Sequence, residues 1–99
     1  MTFEECNWRT LSLSDEYFMN ELRRELGQEA DLFRKICAVA KSDYNDDVLY
    51  LLHSNKNAVY RIYHLTYSGN NAEGYPEYQE FADIKAVRDY IESQFISNQ

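Results

Sequence analysis

A chain of 99 residues with a net charge of −7, 44% hydrophobic and 27% charged, has the size and composition of one globular domain. That balance excludes a disordered chain, which carries too few apolar residues to form a core. The excess of acids excludes a protein built to grip nucleic-acid backbones, since phosphate binding draws on clustered Lys and Arg.

The basic clusters, Arg23-Arg24 and Arg34-Lys35, are short and read as solvated faces. No run approaches the roughly 20 apolar residues of a membrane span. Glu4 and Glu5 stand where a signal peptide carries basic residues, so a cytoplasmic protein without a membrane partner is expected. Two cysteines form at most one bridge, which fits a reducing compartment. Cys37, in an apolar stretch, is expected in the core, and Cys6, near a terminus, at the surface.

Along the chain, the first helix is predicted over Ser12 to Leu26. Ser12 or Ser14 caps it, Asp15 and Glu16 occupy its first turn, and Gly27 stops it. Phe18, Leu22 and Leu26 form its apolar stripe, with Glu16, Asn20, Arg23 and Arg24 opposite. Asp31 to Lys41 fits either a helix or a strand on periodicity. Asp43 to Asp47 reads as a polar turn, and Val48 to His53 as a strand leading into the turn Ser54 to Asn57. The hairpin returns along Ala58 to Tyr67, rich in β-branched and aromatic residues and expected at the centre of the sheet. Ser68 to Gly74 is a long turn, Pro76 introduces a short strand over Tyr78 to Phe81, and Asp83 caps a final helix from Ile84 to about Ile96. Ile84, Val87, Ile91 and Phe95 mark the buried face of that helix. The expected fold is α+β: an antiparallel three- to four-stranded sheet with the N- and C-terminal helices packed on one face, leaving the other partly open.

The most site-like segment is His64 to Gly69, where a strand end passes into a glycine turn. Alternation puts His64 and Thr66 on one face, and Tyr63, Leu65 and Tyr67 on the other. An imidazole in a pocket can carry a proton near neutrality, whereas one satisfied by sheet partners is structural. An enzyme or ligand-binding site would use His64, Thr66, Ser68 and Glu77. Nine tyrosines favour a binding surface, because tyrosine gives large contact area at low entropy cost. Tyr63, Tyr67, Tyr75 and Tyr78 surround the glycine turn, although several tyrosines would simply fill the sheet core.

Asp43, Asn45, Asp46 and Asp47 imitate the start of a calcium loop. The turn glycine, however, would fall on Val48 and the closing glutamate on Ser54, so a hairpin turn is expected. Cys6, Cys37, His53 and His64 lack zinc spacing. With three glycines and no phosphate-binding fingerprint, neither a cofactor nor a metal is predicted.

Asn45-Asp46-Asp47-Val48-Leu49-Tyr50, then Tyr63-His64-Leu65-Thr66-Tyr67-Ser68-Gly69, then Tyr75-Pro76-Glu77-Tyr78 resemble a family of small uncharacterised bacterial proteins. Its members read Asp-Asp-Val-Leu-Phe, then His-Leu-Thr-Trp-Ser-Gly, then an aromatic residue and proline. Tyr67 stands here for the usual tryptophan. The likeness covers roughly residues 30 to 95 and implies a strand over Leu32 to Lys41, but it brings no activity with it.

The expected function is therefore a protein-interaction module, or one that self-associates, binding through His64, Thr66, Tyr67, Ser68, Tyr75, Glu77 and Tyr78. The alternatives are a small enzyme centred on His64 and an immunity or inhibitor protein that covers a basic toxin.

Overall fold

The computed structural model describes residues 2–12, 16–55, 57–67 and 75–97. A turn of 3-10 helix at Glu4–Cys6 precedes β1 (Trp8–Thr10). Then follow α1 (Tyr17–Leu26), a 3-10 segment at Gly27–Leu32, β2 (Lys35–Ser42), β3 (Asp47–His53), β4 (Ala58–His64), β5 (Glu77–Phe81) and α2 (Ile84–Ser97). The five strands form one antiparallel sheet in chain order, so β4 is flanked by β3 and β5 as its composition predicts.

The strand count exceeds the expected three to four because β1 is only three residues long, too short to show a period, yet pairs with β2 from Trp8↔Ser42 to Thr10↔Ala40. The segment whose periodicity was ambiguous resolves into a 3-10 turn followed by a strand starting at Lys35, three residues later than the family resemblance implies. α1 begins at Tyr17, so Ser12 lies before it. The proposed roles of Ser14 and Asp15 fall outside the described residues. Gly27 ends the helix at φ 59°, with its N–H donating to the Arg23 carbonyl.

The two helices lie on opposite faces of the sheet, which overturns the expected shared face. On β3 and β4, neighbouring residues go to different cores. Phe18 and Leu22 of α1 pack with Val48, Tyr50, Leu52 and Tyr63, and with Ile36 and Ala38 of β2. Val87 and Ile91 of α2 pack with the intervening Leu49 and Ile62, and with Ala40, Trp8 and Cys6. A bulge between Ala38 and Ala40 lets β2 serve both sides, turning its first half to α1 and Ala40 to α2.

The cysteines exchange their expected places. Cys6 is buried under α2, where burial pushes its thiol pKa up, while Cys37 is half-buried; both are free. Cys37 pairs with Leu51 toward the far end of the α2 face, where Leu51 and His53 are also only half-buried.

Tyr50 is fully buried, and its hydroxyl donates to the Phe18 carbonyl at 2.7 Å, tying β3 to α1. Burial raises its pKa and keeps it neutral. Its ring meets Tyr63 edge-on at 5.8 Å, and Tyr63 meets Tyr78 at 5.1 Å, so an aromatic file runs from the core to the exposed β5.

A sheet with two cores must lose stability when either is hollowed. Leu52→Ala on the α1 side and Leu49→Ala on the α2 side are each expected to cost about 2–5 kcal/mol in urea unfolding. A cost below about 1 kcal/mol for either, the level of an ordinary surface change, would show that its face is not a core.

Candidate functional site

The turn Ser54 to Asn57 closes by Ser54 N–H donating to the Asn57 carbonyl at 2.8 Å, and it fixes the register His53↔Ala58. Counting back along both strands places Asp47 opposite His64, and the next pairing places His64 opposite Glu77. A carboxylate, an imidazole and a second carboxylate therefore stand in one row across β3, β4 and β5, all on the α2 face.

His64 Nδ1 lies 2.8 Å from Asp47 Oδ1. Its side chain is 56% exposed, against 22% for Asp47, so the aspartate is the sheltered partner that orients the ring. The row forms one wall of a cleft of about 570 Å³, completed by Ile62, Tyr78, Gln79 and Tyr90. Burial together with Asp47 pushes the Tyr90 pKa up, against a lowering influence of the Gln79 side chain. A smaller cavity of about 80 Å³ shares Asp47 and Tyr90 and reaches toward Cys6 and Trp8. Among the described residues no cluster of His, Cys, Asp or Glu suits a metal ion, and no helix is long and apolar enough to cross a membrane.

The structure thus brings His64 and Glu77 together, while Tyr78 borders the cleft with its ring turned to the α1 face, against Tyr63 and Arg61. Tyr75 is half-exposed just before β5 and is not part of the cleft wall. Ser68 falls outside the described residues.

Thr66 and Tyr67 belong elsewhere, because β4 ends at His64 instead of continuing to Tyr67. Leu65 turns into the α1 core, and the next two residues are captured by Glu25 of α1. One Glu25 oxygen accepts from Thr66 N–H at 2.7 Å and from Thr66 Oγ1 at 2.8 Å, and the other accepts from Tyr67 N–H at 3.0 Å. Tyr67 adopts φ 55°, a left-handed conformation these bonds help to hold. The His-Leu-Thr-Tyr segment is therefore divided: its histidine faces the cleft, while its leucine, threonine and tyrosine backbone anchor the strand end to α1.

Glu25 is buried and works with Glu21, one turn earlier. Burial opposes the Glu25 charge, but hydrogen bonds from Glu21, Thr66 and Tyr67 outweigh it and hold its pKa below the ordinary range. Burial and the bond to Glu25 push Glu21 up instead, although Arg24 Nη2 grips both Glu21 oxygens at 2.6 and 2.7 Å. The two carboxyls therefore titrate as an interacting pair, with Glu21 pushed up and Glu25 held down.

Sequence reasoning missed Asp47, Gln79, Tyr90 and Glu25. Asp47 was accessible from the hairpin register, and Tyr90 from its place one residue before Ile91 on α2. Glu25 gave no signal, since a glutamate on the flank of an amphipathic stripe ordinarily faces water.

Comparison with protein families, with curated proteins and with solved structures finds no match to this chain. Fold and geometry alone define it as an α+β domain carrying an acidic cleft at one end of its sheet.

Glu25→Ala strands two backbone N–H groups and a hydroxyl, and is expected to cost about 2–3 kcal/mol at neutral pH. Because the folded pKa of Glu25 is depressed, its contribution is complete above the free glutamate value of about 4.3 and fades as pH falls through the folded pKa. Glu21, with a raised pKa, acts in the opposite sense and loses its contribution as pH rises through that pKa. Urea unfolding of both proteins from pH 7 to pH 3 should show the gap between wild type and Glu25→Ala closing in acid. A constant gap would contradict the carboxylate's role.

Proposed function

We propose that this chain is a cytoplasmic protein-binding module whose cleft docks a basic partner. The observation that carries this reading is the row Asp47, His64 and Glu77 in register at the mouth of an open cleft. His64 takes one oxygen of Asp47, while Glu77 makes no ion pair among the described residues.

A cationic side chain entering the cleft would meet two carboxylates and the aromatic ring of Tyr90, a setting that suits ammonium or guanidinium groups. Half-exposed Tyr75 and Tyr78 supply apolar contact beside the charges. The net charge of −7 extends the attraction beyond the cleft and would speed encounter with a basic protein. An inhibitor that covers a basic toxin is the narrower form of this reading.

A second reading is supported by the Asp47–His64 pair. An imidazole oriented through Nδ1 by a sheltered carboxylate, at the wall of a cleft, has the arrangement of a general base. Among the described residues no serine, threonine or cysteine lines the cleft, so the nucleophile supported there is water or a substrate hydroxyl. Docking of a basic protein needs no such addition, and we favour it.

Immobilised wild-type chain should retain basic proteins from a native extract and release them as salt rises toward about 1 M, where screening is nearly complete. Glu77→Lys, an exposed change, should lose that retention while unfolding at the same urea concentration as wild type. Equal retention by both proteins would sink the reading. Substrate turnover abolished by His64→Gln would favour catalysis instead.

A further inference from the structure

β5 is the outermost strand of the sheet. It pairs with β4 from Tyr60↔Phe81 to His64↔Glu77, and among the described residues no backbone pairs with its other edge. A free edge presents N–H and C=O groups spaced to bond a further strand. β5 has five residues, enough to hold one.

Its side chains determine which strand would fit. Glu77, Gln79 and Phe81 point to the α2 face, and the first two line the cleft. Tyr78 and Glu80 point to the α1 face. Glu80 is already neutralised there by Arg61 Nε at 2.8 Å, and the Arg61 guanidinium lies 4.2 Å from the Tyr78 ring centre. The α1-face side of the edge is thus a half-exposed aromatic ring with its charges satisfied, while the α2-face side carries Glu77, which has no ion pair among the described residues, and, deeper in the cleft, Asp47.

A strand added to this edge would alternate in the same way. Its residues on the α2 face would lie beside Glu77 and reach into the cleft, and those on the α1 face would rest against Tyr78. A second copy of this chain fits poorly, because it would bring another charge of −7 and a second Glu77 carboxylate to the same edge.

We propose that the outer edge of β5 takes up an extended segment of the partner as an added strand, with lysine or arginine alternating with apolar residues and the basic side chains entering the cleft. This rests on the reading of the cleft as a docking site for a basic protein, and it adds how the partner is held. Backbone pairing supplies affinity, and the alternation of the two faces supplies specificity.

The test uses the full chain and a peptide of alternating lysine and valine long enough to cover β5. Two versions of the peptide carry backbone N-methyl groups, one on every lysine and the other on every valine. In a paired strand all lysine N–H groups point one way and all valine N–H groups the other. The parent peptide should bind and slow hydrogen exchange at alternate amides of β5. One N-methyl peptide should bind at least about tenfold more weakly than the other, a loss of about 1.4 kcal/mol.

Equal binding of both N-methyl peptides, lost on Glu77→Lys, would overturn the strand pairing while leaving the cleft as a cationic docking site. Failure of every peptide to bind at low salt would overturn the docking reading with it. A dimer in sedimentation that Gln79→Pro dissolves would give the edge to a second copy, and would equally overturn the proposal.

Discussion

Strand β3 has no solvent face along most of its length, and the rest of the molecule is arranged to satisfy that condition. Val48, Tyr50 and Leu52 need cover on one side and Leu49 needs it on the other; all four are fully buried. Hydrophobic burial is worth roughly 25 cal/mol per Å² only if both sides are closed to water, so one helix cannot serve. α1 closes the first side and is fixed by the Tyr50 hydroxyl on its backbone. α2 closes the second, joined by Trp8 and Cys6 from the opposite end of the chain. The sheet's role as a middle layer, the bulge in β2 and the burial of an N-terminal cysteine all follow from this two-sided demand.

The cleft lies where that cover stops. Val87 and Ile91 of α2 lie over Ile62 and Leu49, but the row at the ends of the strands, Asp47, His64 and Glu77, projects beyond the helix into the open, with Tyr90 as the boundary. Polar side chains there cost little, since water reaches them. On the opposite face the same strand end is closed: Leu65 is in the core, and Glu25 takes up the donors of Thr66 and Tyr67. Rigid anchoring on one side and open chemistry on the other suit a binding surface, because the presenting strand is held in place before any partner arrives.

Much of this architecture was legible in the sequence, and the largest error has an identifiable cause. Both helices, the hairpin and the interior position of β4 follow from amphipathic spacing, turn residues and β-branched content. The placement of the helices on one face took the other side of the sheet to be partly open. Ile36 to Ala40 and Val48 to Leu52 are instead unbroken apolar runs, the pattern of strands covered on both sides. Taken at face value, those runs would have separated the helices. β1 had no period to detect, and its pairing depends on contacts with β2 at least 30 residues away.

The candidate site was legible in part. His64, Glu77 and Tyr78 were singled out from the strand end and its aromatic neighbours, and Asp47 was one register count away from joining them. Thr66 and Tyr67 were assigned to the same surface because sequence proximity suggested it. The buried Glu25 redirected them, and a glutamate acting at a distance of 41 residues leaves no local trace.

The account stands on α1 and α2 covering different faces, since the cleft exists only if α2 lies on the His64 side. Side-chain NMR of the whole chain tests this directly through short proton–proton distances. Val87 and Ile91 should show cross-peaks to Leu49 and Ile62, and Phe18 and Leu22 to Val48 and Tyr50. Cross-peaks from Val87 or Ile91 to Val48, Tyr50 or Leu52 would place both helices on one face, and would remove the cleft together with everything inferred from it.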